Sequence, residues 1–338
     1  MKALTVAVPC YNSQDYMAHA IDSLLAGGDA VEIIIVDDGS VDDTPAIADR
    51  YARAHPGVVR VIHQENGGHG DAVMAGIRAA TGAYFKVVDS DDWLDEAAFP
   101  RLLEAIQAQL AGGAPVDAIL TNYIYDKAGA RHKHVVHYRH ALPEGRPFGW
   151  EDTRRFHVGQ YIQMHSLTYR TEALRGCGLS LPRHTFYVDE LYAYVPLRSV
   201  RRLLYLDIDL YHYFIGRADQ SVQEATMIRR IDQAIAVNKQ MARDVDLDAV
   251  EDPHLRSYLI RYLEIITAVA SVLLIKSGMP ENRRKMVELW DYIRARQPGA
   301  YARIRHGAMG RIVHLKGRPG KRVVLSVYRI SQKLFGFN

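Results

Sequence analysis

The first 125 residues predict an α/β fold built on a mostly parallel sheet with flanking helices. Three features carry the prediction. Strand-like and helix-like patterns alternate along this stretch. The strand-like runs are mostly apolar and rich in β-branched residues, as strands covered on both faces are. Several of the helical patterns stop at glycine, and strands separated by helices argue for parallel pairing.

In chain order, Leu4–Val8 is a short apolar run ending at Pro9. Asp15–Leu25 has helical spacing in Met17, Ile21, Leu24 and Leu25, and stops at Gly27-Gly28. Val31–Val36 is the clearest buried strand. Asp43–Ala54 is helical, with Asp42 or Asp43 as its cap and Pro45 in its first turn. Val58–His63 is a strand, Asp71–Ala80 a helix, Tyr84–Val88 a strand, Asp95–Leu110 a helix and Val116–Thr121 a strand. Residues 126–160 are polar and rich in His, Arg, Gly and Pro, with Lys133–Tyr138 as an extra strand. Tyr161–Tyr169 and Leu203–Tyr213 read as further strands. After Ser221 the chain turns helical: Met227–Ala242, then a long helix opened by Asp252-Pro253 and running to Lys276, then Glu281–Arg296. Domains are expected at 1–221, with halves 1–125 and 126–221, and at 222–338.

The chain has 338 residues, 48% hydrophobic and 24% charged, which excludes a disordered or fibrous protein. Its two cysteines, Cys10 and Cys177, exclude a disulfide framework and point to a reducing cytoplasm. Net charge is +3, yet Tyr292–Asn338 holds eleven Lys/Arg and no acid, which leaves about −8 for residues 1–291. That balance does not suit a general nucleic-acid binder, whose basic surface is broad. The longest apolar run, Ile265–Ile275, is eleven residues, short of the roughly 20 a membrane span needs. No signal-peptide cleavage pattern follows the N-terminus.

Ligands of open α/β sheets bind beyond the carboxyl ends of the strands. Four segments follow the first four strands: Pro9-Cys10-Tyr11-Asn12, Asp37-Asp38-Gly39-Ser40, Glu65-Asn66-Gly67-Gly68-His69-Gly70 and Asp89-Ser90-Asp91-Asp92-Trp93. Two acidic clusters, an aromatic and a glycine-rich turn thus converge on one edge. Clustered carboxylates suit a hard divalent ion, Mn²⁺ or Mg²⁺. Gly68-His69-Gly70 imitates the start of a dinucleotide fingerprint, but the third position holds Val73 and Asp91-Asp92 make metal binding the better reading.

In this order and spacing, the segments resemble the inverting family 2 glycosyltransferases of the GT-A fold that build bacterial cell-surface polysaccharides. The matching residues are Pro9-x-Tyr11-Asn12, Val36-Asp37-Asp38-Gly39-Ser40-x-Asp42-Asp43-Thr44, Asn66-x-Gly68-x-x-x-Ala72 with Gly76, and Asp89-x-Asp91-Asp92. The resemblance is strong over about 3–125 and weaker to about 221. It implies nucleotide-sugar binding by Pro9, Tyr11, Asn12, Asp38, Asn66, Gly67 and Asp89. Tyr11 would stack on the base, and Asp38 would accept a hydrogen bond from it. It implies metal binding by Asp91 and Asp89, with Asp92 serving instead of or beside Asp91. It implies Asp189, in Tyr187-Val188-Asp189-Glu190, as the base that deprotonates the acceptor, Glu190 being the alternative. Asp37, Gly68, His165 and Arg217 are further candidates, His165 at the acceptor side and Arg217 toward diphosphate or an anionic acceptor. Val73, Met74 and Val188 depart from the family pattern. The implied donor is a UDP-sugar and the acceptor a saccharide or lipid-linked saccharide.

Two rival functions have partial support in the sequence. A sugar-phosphate nucleotidyltransferase wants a glycine-rich basic loop after the first strand, where this chain has Pro9–Asn12. A non-catalytic nucleotide-sugar-binding scaffold draws support from Met74 and Val188. His132, His134, His137 and His140 are dense, but their spacing does not put three on one face, so no zinc site is expected. In the tail, Arg322, Ser326, Arg329 and Lys333 lie beside a stripe of Val323, Val327, Ile330 and Leu334, with Phe335 and Phe337 at the end. Such a helix (311–337) either lies on an anionic membrane surface from the cytoplasmic side or packs on the body. The helical C-terminal region would cover the acceptor pocket, dimerise or dock.

Overall fold

The computed structural model describes residues 2–127, 133–216 and 224–335, with side chains to 330. It divides into two compact units, Met1–Ile215 and Gly216–Asn338. The boundary anticipated at 221 lies outside the described residues.

The first unit holds β1 (Leu4–Cys10), α1 (Met17–Leu25), β2 (Val31–Asp37), α2 (Thr44–Ala54), β3 (Val59–His63), α3 (His69–Ala79), β4 (Tyr84–Val87), β5 (Trp93–Leu94), α4 (Ala98–Ala111), β6 (Ala118–Lys127), β7 (His134–Val136), β8 (Pro147–Phe148), β9 (Leu167–Arg170), α5 (Thr171–Gly176), α6 (Asp189–Leu197) and β10 (Leu203–Ile215). The strands form one sheet in the order β3-β2-β1-β4-β9-β6-β10-β5, with β7 on β6 and β8 on β10. Pairs β3-β2, β2-β1, β1-β4 and β6-β10 are parallel. Strand β9 enters antiparallel between β4 and β6.

All seven residues of β1 and of β2 are buried, including Thr5 and Glu32, where Thr5 Oγ1 donates to Glu32 Oε2 at 2.6 Å. One face packs on Ile21 and Leu24 of α1 and on Phe99 and Leu102 of α4. On the other, Ile34 and Val36 meet Ala72 and Ala75 of α3. Helix α3 lies so close to β1 that a Cβ on Gly76 would come within 2.6 Å of Ala7 Cβ. Register levels the strand ends: Cys10 opposes Asp37, and Asp37 opposes His63. The loops that follow therefore open on one edge.

Several elements differ from the sequence expectation. The strand anticipated over Tyr161–Tyr169 is confined to Leu167–Arg170, after a 3₁₀ turn at Met164–Ser166. That turn aims the His165 carbonyl at the buried Lys86 Nζ, 2.7 Å away. The two-residue β5 and the short helices α5 and α6 carry too little periodicity to be read from sequence. The Asp42 carboxylate accepts from Thr44 N at 3.0 Å, so Asp42, rather than Asp43, satisfies a free amide at the start of α2.

The second unit is helical: α7 (Glu224–Arg229), α8 (Ile231–Asp244), α9 (Pro253–Ser277), α10 (Pro280–Arg296), α11 (Pro298–His306), α12 (Ala308–Val313) and α13 (Gly317–Phe335). Asp252 caps α9 by accepting from His254 N and Leu255 N, and Gly278 closes it in the left-handed region. The segment anticipated as one helix over Met227–Ala242 breaks at Arg230. Helix α9 corrects another expectation. The uncharged run between Glu264 and Lys276 is eleven residues, but the helix runs 25 residues with an 18-residue window of mean hydropathy 1.8. By length and composition it is long and apolar enough to cross a membrane. That window is 78% buried, and α9 packs against α8, α10, α11 and α12. It is the core helix of this unit. On α13, Val324 is buried while Val323 and Ile330 of the anticipated stripe are exposed. The side chains of Lys333, Leu334, Phe335 and Phe337 lie outside the described residues.

A candidate active site at four strand ends

The site begins where β1 ends. Asn12 adopts φ 50, a conformation costly for most residues other than glycine. It is held there by its Oδ1, which accepts from Val41 N at 2.9 Å, and by its own amide, which donates to Ser40 Oγ at 3.0 Å. Ser13 Oγ lies 2.9 Å from Ser90 Oγ, joining this loop to the one after β4. Pro9 is buried in β1 opposite Val36. Tyr11 is 52% exposed, with its ring at the open edge.

Asp37 and Asp38 are both buried at the end of β2. Asp37 accepts from Ser40 N at 3.1 Å, and its other oxygen lies 2.8 Å from His63 Nδ1. The Asp38 carboxylate accepts from Gly67 N at 2.8 Å, Gly68 N at 2.7 Å and Gln64 Nε2 at 2.7 Å. Asn66 Nδ2 donates to the Asp38 carbonyl at 2.9 Å. Asp38 and Asn66 thus shape the turn that sequence reading assigned to the same ligand.

That turn receives a second loop. Gly68 has φ 83, and a Cβ there would come within 3.0 Å of His184 N. His184 N donates to the Gly67 carbonyl at 2.7 Å, and Arg183 Nε lies 3.2 Å from Asp71 Oδ2. His184 and Tyr187 have φ 49 and 68. Together with Asn12, these are the non-glycine residues with positive φ among those described, and all three flank the site. The docked loop delivers Asp189 as the first residue of α6.

At the end of β4, Asp89 Oδ1 lies 2.8 Å from His69 Nε2. Burial opposes the charge of each, but their mutual attraction wins. The His69 pKa is raised and that of Asp89 lowered. Asp92 is fully buried and accepts from Tyr211 OH at 2.6 Å and Phe214 N at 2.8 Å. Burial, then Asp91 and Asp89, push its pKa well up. One ligand atom each from Asp89, Asp92 and His165 lies within 4.8 Å of the others. Burial drives the His165 pKa down to about 4, so the ring is neutral, and its buried Nδ1 has no hydrogen-bond partner. A neutral imidazole beside carboxylates is a donor set that a divalent first-row ion accepts. Asp91 follows on the same turn, close enough to bear on Asp92.

Asp189 is half-buried, and burial raises its pKa, with His69 opposing and Asp89 reinforcing the shift. Glu190 accepts from Tyr161 OH at 3.1 Å. Arg217 lies outside the described residues, as does His132. His140 stacks on His157 with ring centroids 3.8 Å apart.

An α/β sheet with acidic and aromatic groups gathered at its carboxyl edge, and a raised-pKa carboxylate brought to them, is the frame of a group-transfer enzyme. Residues 5–170, about half of the chain, match the glycosyl transferase family 2 profile, and this segment belongs to that family. EpsH of Bacillus subtilis is 31% identical over 228 residues, 63% of this chain and 61% of that relative, so the match spans less than two thirds of its length. The solved structure of S. aureus TarS in complex with UDP-GlcNAc superposes with TM-score 0.71 at 19% identity, covering 98% of this chain and 92% of that one. The mannosyltransferase PcManGT from Pyrobaculum calidifontis, in complex with GDP-Man and Mn²⁺, gives TM-score 0.53 at 18% identity, covering 90% and 87%. At these identities the two structures establish the GT-A-type fold.

Sequence reading missed His69 as the partner of Asp89. It saw His69 only inside a dinucleotide-like turn, although a basic residue opening a helix beside an acidic strand end was a usable signal. Lys86, Tyr211 and Tyr213 had none, because they sit inside strands as core positions do.

Proposed function

We propose that the protein is a metal-dependent, inverting glycosyltransferase that moves one sugar from a UDP-sugar to a saccharide or lipid-linked saccharide. One observation carries this reading. Asp189, a carboxylate of raised pKa, is brought by a docked loop into the field of the Asp89–His69 pair at the sheet edge.

In this reading the base of the donor lies on the exposed Tyr11 ring, beside Asp38 and the Asn66–Gly68 turn. Asp89, Asp91, Asp92 and His165 are the groups that would hold Mn²⁺ or Mg²⁺. Such an ion, when bound, neutralises charge on the departing diphosphate. Asp189 accepts the proton of the acceptor hydroxyl. The acceptor oxygen forms its bond to the anomeric carbon as the bond to diphosphate breaks on the opposite face, so the configuration inverts. A raised pKa suits a general base working near neutrality. Glu190, engaged by Tyr161, is better placed to fix the start of α6. Residues 126–221 shape the acceptor side, and the exposed Val323 and Ile330 with the basic residues of α13 dock on an anionic membrane surface.

The test is transfer from radiolabelled UDP-sugars to a membrane-lipid extract and to free oligosaccharides. Asp91→Ala and Asp189→Asn should each lower the transfer rate at least about 10²-fold. Unchanged rates in both would refute the mechanism.

A further inference from the structure

A cavity of about 650 Å³ opens in the first unit. That volume falls within the usual range of ligand sites, about 300–1,000 Å³. Successive strand residues point to opposite faces. Tyr123, Tyr125, Tyr211 and Tyr213 cluster around His165 on the face of the candidate active site. Asn122, Ile124 and His212, which alternate with them, line the cavity on the other face.

The cavity is built around one buried amide. Asn122 is 2% exposed. Its Nδ2 donates to Asp207 Oδ1 and to Asp209 Oδ1, both at 2.8 Å, while Tyr205 OH donates to its Oδ1 at 2.7 Å. The pairing of β10 with β6 shifts register on both sides of Asp209, and such bulges re-aim side chains. Two carboxylates are thereby held side by side at the cavity wall. Arg101 and Arg139 stand opposite them in charge, and Ile124 and Ile208 supply an apolar floor. His137 also lines the cavity, and its buried Nδ1 has no hydrogen-bond partner.

We infer that this cavity is a saccharide-binding subsite separate from the transfer site. Paired carboxylates accept from neighbouring hydroxyls, guanidinium groups donate to them, and an apolar floor meets the C–H face of a sugar ring. Arg101 and Arg139 disfavour a bare divalent cation. Asp207 and Asp209 disfavour a phosphate. A bound chain there would hold the protein on a saccharide while the other face of the sheet transfers. The choice of saccharide as ligand class draws on the glycosyltransferase reading; the cavity itself does not.

The experiment titrates the full chain with chitotriose, cellotriose and xylotriose by calorimetry, and measures UDP binding in the same samples. At least one trisaccharide should bind, with affinity at least tenfold weaker in Asp209→Asn and in Arg101→Ala and UDP affinity unchanged. UDP binding without trisaccharide binding overturns the subsite and leaves the transfer reading standing. Trisaccharide binding insensitive to both substitutions also overturns it. Trisaccharide binding that responds to both substitutions, without any UDP binding, supports the subsite and removes the transfer reading.

Discussion

His69 Nε2 lies 2.8 Å from Asp89 Oδ1, and this contact joins the start of α3 to the end of β4. It favours the ionised form of Asp89 against burial, beside Asp92 and His165. Removing a group that orients a metal-binding carboxylate typically weakens metal affinity about 10–100-fold. His69→Gln should therefore raise the Mn²⁺ concentration that half-saturates transfer by about that factor, with the apparent affinity for acceptor unchanged.

Asp189 should set the acid limb of the pH profile. A general base works only when ionised, and its raised pKa means that activity falls while ordinary carboxylates are still charged. In kcat/KM against pH, the acid limb should lie above the usual carboxylate value of about 3.9–4.3. Asp189→Asn should lower kcat by about 10²–10⁴-fold with donor affinity retained.

Asp38 and Tyr11 should separate by what they do to the fold. Asp38→Ala strands the Gly67 and Gly68 amides, which costs about 1–3 kcal/mol, and urea midpoints should fall accordingly. Tyr11 is exposed at the edge, so Tyr11→Ala should leave the midpoint unchanged. It should weaken UDP binding by the stacking energy, about 1–3 kcal/mol.

The Asp117–Arg170 pair should govern acid stability of the first unit. Arg170 Nη2 lies 2.8 Å from Asp117 Oδ1, and Arg201 N and Arg202 N donate to the other oxygen. Burial raises the Asp117 pKa, but these partners outweigh it and the net shift is downward. A lowered carboxylate pKa stabilises the fold above the unfolded value of about 3.9, and the contribution disappears as pH falls through the folded value. The urea midpoint of Arg170→Met should lie below wild type at pH 7, and the gap should narrow toward pH 3.

The parallel half of the sheet was legible because its strands are mostly apolar and β-branched, Val31–Val36 above all, and β1 and β2 are buried along their whole length. The four strand-end segments followed from that. The antiparallel insertion of β9 was not legible: the His165 carbonyl leaves the ladder to serve Lys86, a contact between residues 79 positions apart. Asp92 illustrates a related limit. Its sequence shows one more acid in a cluster, while its burial under Tyr211 and Phe214 depends on β10, more than a hundred residues away. Asp189 is singled out by motif, but the backbone that presents it, with His184 and Tyr187 at positive φ, exists only once the loop docks on Gly67 and Gly68.

The most direct measurement is calorimetric titration of UDP into the protein with and without Mn²⁺, on wild type and on Asp91→Ala. Saturable binding that needs Mn²⁺ and is lost in Asp91→Ala is the predicted result. Absence of UDP binding under both conditions, or equal binding in wild type and variant regardless of Mn²⁺, would contradict the metal-dependent donor site.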